Sequence, residues 1–139
     1  DEVAAQYGRV MIDERVGRGL AVGDLDNDGR LDIVINNLDG VPEVLHNELA
    51  DRGNWLLVKL TGPRGNTDAI GAVVTARAGA VTETRVVQSG TSYISQNDMR
   101  LHFGLGSAAQ VELLDVRWPD GTTSKMTNVK ANQIVAIKR

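Results

Sequence analysis

Four carboxylates within nine residues, Asp24, Asp26, Asp28 and Asp32, constrain this chain more than any other feature of it. Packed into one short turn without a cation they would repel one another, so the stretch needs either full solvation or a cation. A solvated acidic turn accounts for Asp28-Gly29, a pair chosen for its geometry. It leaves the other three carboxylates unexplained.

A hard divalent cation explains all four. Calcium takes about 6 to 8 oxygen ligands, and a loop that turns alternate carboxylates inward around a glycine supplies them. Asp24, Asp26 and Asp28 fill the first, third and fifth positions, and Gly29 at the sixth permits the sharp turn. The backbone carbonyl of Arg30 and the carboxylate of Asp32, direct or through water, complete the expected set. Magnesium is the poorer match, because it dehydrates reluctantly and seldom uses an all-protein cage. The spacing follows the start of an EF-hand loop and then leaves it: the twelfth position is Ile35 rather than a bidentate Glu, and the flanks read as strands.

Those flanks set the fold class. Leu20-Ala21-Val22 and Ile33-Val34-Ile35 are short apolar runs on either side of the loop, and Pro42 to His46 follows as a third strand after the Leu38-Asp39-Gly40 turn. Beyond a connector at Glu48 to Gly53, Trp55 to Leu60 alternates with the period of a half-buried strand. Ile70 to Ala78 and Thr84 to Gln88 form a hairpin around Gly79-Ala80. Met99 to Phe103, Val111 to Trp118, Thr122 to Met126 after the Pro119-Asp120-Gly121 turn, and Ile134 to Ile137 complete the series. Asp1 to Tyr7 reads as a short helical turn closed by Gly8. Short strands with fifteen Gly in a chain of 139 residues predict an all-β class, a β-sandwich or barrel-like module carrying a DxDxDGxxD calcium loop between two short strands.

Charge and composition narrow the partners. A formal net charge of −3 without a Lys/Arg cluster excludes the electrostatic footprint of a nucleic-acid binder. No run approaches the roughly 18 apolar residues of a membrane span, so no membrane insertion is expected. With no cysteine there is neither a disulfide framework nor a thiolate zinc site. The chain begins at Asp1 without Met and reads as a processed protein or a piece of a longer one.

Two resemblances organise these pieces. Gly23 to Val34 resembles an FG-GAP/VCBS repeat, the calcium-loop unit of integrin-type propellers. Asn54-Trp55-Leu56, Ala69-Ile70-Gly71-Ala72, Ser89 to Gln96, His102-Phe103-Gly104-Leu105-Gly106, Trp118-Pro119-Asp120-Gly121 and Ala131-Asn132-Gln133 together resemble the ASPIC/UnbV domain. The expected division is 1–50 for the repeat unit and 51–139 for the ASPIC/UnbV-like β domain, the two packed as one compact unit. The resemblance implies an extracellular or periplasmic, secreted protein, bound Ca2+, a role in interaction or cell adhesion, and attachment to upstream FG-GAP repeats. One blade cannot close a propeller of about 4 to 8 blades, so these strands must pack on the second portion or lie exposed.

Function is then a choice between binding and chemistry. The leading expectation is a non-catalytic calcium-binding module that engages a protein or glycan ligand. Its candidate surface is the polar stretch 89–98, with Ser92, Tyr93, Ser95, Gln96 and Asn97 as ligand-binding residues. An ordered loop that satisfies its own backbone is the plainer account of the same stretch. A calcium-dependent carbohydrate-binding module is an alternative, although 4% aromatic residues leave few stacking platforms, and Trp55 and Trp118 read as core. A hydrolase using Ser95, or Ser92, with His102 and Asp98 has the right residue types. It lacks a Gly-x-Ser-x-Gly elbow, and His102 and His46 each sit beside apolar residues as strand histidines do.

Overall fold

The computed structural model describes residues 14, 16–50 and 53–139. The expected turn at Asp1 to Tyr7 lies outside them. The described residues are all β, with ten strands: β1 Gly17–Gly23, β2 Asp32–Asn37, β3 Glu43–Leu45, β4 Asn54–Thr61, β5 Val73–Ala78, β6 Val81–Val86, β7 Leu101–Gly106, β8 Gln110–Arg117, β9 Thr123–Lys130 and β10 Gln133–Lys138. They form three sheets, with strand orders β1-β2-β3, β10-β4-β7 and β6-β5-β8-β9.

The last two sheets enclose the core as a sandwich does. Leu56, Val58 and Leu60 of β4, Phe103 and Leu105 of β7, Val74 and Ala76 of β5, and Leu114 and Val116 of β8 are buried in one apolar cluster, closed at its rim by Trp118 and Ile137. Each Val, Leu, Ile or Phe side chain among them, fully buried, contributes about 1.5 to 3 kcal/mol. The edge strands β6 and β9 present Thr, Glu, Arg and Lys to solvent, a pattern that discourages edge-to-edge pairing.

Three features differ from the sequence-based expectation. β4 is buried on both faces: Trp55 and Leu57, opposite to Leu56 and Val58, are as inaccessible as the core residues. Alternation read it as half-buried because the cover comes from elsewhere in the chain: Gly29 of the acidic loop, distant in sequence, lies against the Trp55 indole. β7 runs on through Gly104-Leu105-Gly106 instead of ending there, since Gly104 and Gly106 pair with Trp55 and Asn54 across an irregularity in register. β10 pairs with β4 in parallel, from Gln133↔Leu56 to Lys138↔Thr61, a partner that local patterning does not reveal. Asn132 sets that pairing, taking the Trp55 amide on its side chain and donating its own amide to the Trp55 carbonyl at 2.7 Å.

The β1-β2-β3 sheet contributes nothing to the apolar cluster, whose buried members run from Leu56 to Ile137. Leu20 is 40% exposed and Val44 61% exposed. Polar contacts join it to the rest. The Asp98 amide donates to the Val22 carbonyl at 2.9 Å, the Val22 amide donates to Asn97 Oδ1 at 2.9 Å, and Ser95 Oγ donates to the Leu20 carbonyl at 2.8 Å. The free edge of β1 is thus occupied by residues 95–98, which satisfy its backbone where a fourth strand would.

Candidate metal centre

The acidic loop leaves β1 at Gly23 and enters β2 at Asp32, so paired strands fix both of its ends. Inside it the carboxylates organise the backbone. Asp24 accepts the amides of Asp28 and Gly29 at 3.1 and 3.0 Å, Asp26 accepts the Asp28 amide at 3.2 Å, and Asp28 accepts the Arg30 amide at 2.8 Å. Asp32 closes the loop by accepting the Leu25 amide at 3.0 Å. Asp24 and Asp32 are each 1% exposed. Gly29, at φ 88°, lies against the Trp55 indole, where a β-carbon would come within 2.1 Å of ring atoms.

One carboxylate oxygen from each of Asp24, Asp26 and Asp32 lies within 4.8 Å of the other two. Two buried and one exposed carboxylate so close together form a hard, anionic, oxygen-only donor set, which fits a divalent cation of the calcium type. The Arg30 guanidinium ion-pairs with Asp28.

His46, read from sequence as a plain strand histidine, joins this site. Its Nδ1–H donates to Asp32 Oδ1 at 3.0 Å, and its Nε2 faces Asp26 Oδ2 at 3.8 Å. The Asn47 amide reaches the same Asp32 oxygen at 2.9 Å. Burial pushes the Asp32 carboxyl up, but the Asn47 and Leu25 amides together with His46 outweigh it and hold the group below its usual range. Position just after β3 was the available signal for His46 and Asn47: a third strand paired to β2 returns the chain to where β2 begins.

The other candidate residues divide. Ser95 and Asn97 hold β1, as described above, and Gln96 and Asn97 line a cleft of about 570 Å³ shared with Lys59, Asp68, Asp98 and Arg100. Tyr93 is 59% exposed and Ile94 86% exposed at the tip of the Ser92–Ser95 turn. Ile94 adopts φ 48°, a conformation that β-branched residues avoid. For the hydrolase set, Ser95 Oγ donates to Leu20, His102 Nε2–H donates to the Gly29 carbonyl at 2.9 Å, and Asp98 accepts from Arg100 at 2.6 Å. Each of the three is committed to a different partner.

Fold and loop together define an all-β module in which a short acidic-loop sheet is followed by a sandwich, and the family comparisons agree. The FG-GAP repeat model matches residues 16–45 and the ASPIC and UnbV model matches residues 62–139, so the chain belongs to the ASPIC/UnbV family, with one FG-GAP repeat before that domain. Among curated relatives, cartilage acidic protein 1 of Homo sapiens is 32% identical over 120 residues, covering 82% of this chain and 18% of that protein. The protein of the same name from Xenopus tropicalis is 32% identical over 111 residues, covering 76% of this chain and 16% of its own length. The chain therefore spans less than a fifth of the curated relatives it matches.

Proposed function

We propose that this chain is a non-catalytic, calcium-stabilised extracellular interaction module, with the cation held by Asp24, Asp26, Asp28, Asp32 and the Arg30 carbonyl. The observation that carries the reading is the convergence of Asp24, Asp26 and Asp32, two of them buried, on one point of an FG-GAP repeat. Such repeats are calcium-loop units, and calcium at that point would offset the mutual repulsion that burial makes costly. The cation's part is structural: it fixes the loop, and the loop covers Trp55 on the outer face of β4.

The non-catalytic part is supported by the separate engagements of Ser95, His102 and Asp98. The extracellular part draws support from relatives named for cartilage. The two portions act as one unit in this proposal, through the bonds of residues 95–98 to β1. The surface offered to a protein or glycan partner is the exposed Tyr93-Ile94 tip, beside Ser92 and Gln96. Isothermal titration tests the metal assignment: calcium binds with a dissociation constant of about 10⁻³ M or tighter, magnesium binds more weakly, and Asp24→Asn abolishes the heat. Titration without heat at millimolar calcium, in a folded protein, contradicts it.

A further inference from the structure

The outside of the acidic loop is gripped by side chains from the ASPIC/UnbV portion. Arg100 Nη2 donates to the Asp24 carbonyl at 2.7 Å and Nη1 donates to Asn27 Oδ1 at 2.6 Å, while Nε is held by Asp98 Oδ2 at 2.6 Å. The Asp98 carboxylate also accepts the Arg100 amide at 2.9 Å, which fixes the guanidinium plane from its own chain. Two positions further along, His102 donates to the Gly29 carbonyl, and Trp55 backs Gly29 itself. Asn27 sits at φ 64°, the point where the loop reverses. Contacts at loop positions one, four and six, all from outside, leave the carboxylates to converge inside.

We propose that Arg100 is a positioning residue that couples calcium binding to the docking of the FG-GAP repeat on the ASPIC/UnbV domain; this rests on the calcium reading above. The guanidinium bonds the Asp24 carbonyl, Asn27 Oδ1 and the Asp98 carboxylate, so its part is to position the loop rather than to supply a ligand. It holds the backbone of Asp24 and the side chain of Asn27, and so sets the loop conformation that the ligands require. Asp98 links the same guanidinium to β1, because its amide bonds the Val22 carbonyl. Coupling of this kind is reciprocal: whatever docking contributes to calcium affinity, calcium contributes to docking.

The test combines calcium titration with hydrogen exchange in wild type, Arg100→Gln and Arg100→Lys. In wild type, calcium slows exchange at the Val22 and Asp98 amides, which lie outside the metal loop. Arg100→Gln lowers calcium affinity by about tenfold, the low end for residues that orient metal ligands, and removes the calcium effect at Asp98, while Phe103 exchange in the core stays as in wild type. Should Arg100→Gln not fold, Arg100→Lys serves: one ammonium cannot reach Asp24, Asn27 and Asp98 together, so affinity still falls. Calcium binding of wild-type strength in the folded variants, or calcium that leaves Val22 and Asp98 exchange unchanged in wild type, overturns the coupling while leaving the metal site intact. A wild-type protein that binds no calcium overturns the metal reading and the coupling with it.

Discussion

Gly29 shows how narrowly single residues define this molecule. A side chain there meets both a left-handed backbone and the Trp55 ring, so Gly29→Ala is expected to cost about 2 kcal/mol or more. Urea unfolding in chelator measures this, and a loss below about 0.5 kcal/mol would show that the loop does not pack on Trp55 as described. Asp32 gives a pH prediction of definite sign. Its folded pKa lies below the unfolded value of about 3.9, so its contribution is complete above that value and is lost as pH falls through the lower, folded one. In metal-free protein, the stability gap between wild type and Asp32→Asn should therefore shrink as pH is lowered from about 5 to about 2. A gap independent of pH would remove the Asn47, Leu25 and His46 bonds from the account.

Strands and sheets carry unequal weight. Phe103→Ala, at the centre of the sandwich, should cost about 3 to 5 kcal/mol, whereas Leu20→Ala, on a half-open sheet, should cost less than about 1 kcal/mol. Chemical denaturation of the two variants checks the contrast, and equal losses would mean that the β1-β2-β3 sheet has a core of its own. This division was partly legible in sequence. Alternation and turn signals together put a predicted strand over part of each of β4 to β10, and Leu114, Val116 and Trp118 do share the buried face expected of them. Local patterning carried no signal for the parallel β4 and β10 pair or for the cover over Trp55 and Leu57, since both depend on residues far apart in the chain. Within the candidate metal centre, the loop carboxylates were readable from their spacing. His46 was marked only by its position just after β3, and Arg100 and His102 were not readable, because each reaches the loop from far along the chain and nothing in its own neighbours marks it as doing so.

For the molecule as a whole, a small sheet with little apolar cover is held to a well-packed sandwich by polar bonds along β1 and around one acidic loop. A cation in that loop would bind the folded state alone and stabilise it by mass action, by about 2.7 kcal/mol at 100 times the dissociation constant. For a domain of this size that corresponds to a rise of about 9 °C. The most direct measurement is the thermal midpoint of wild type and Asp24→Ala in millimolar calcium and in excess chelator. The account predicts that calcium raises the wild-type midpoint, that chelator reverses the rise, that magnesium substitutes poorly, and that Asp24→Ala does not respond. A wild-type midpoint indifferent to both calcium and chelator would contradict it.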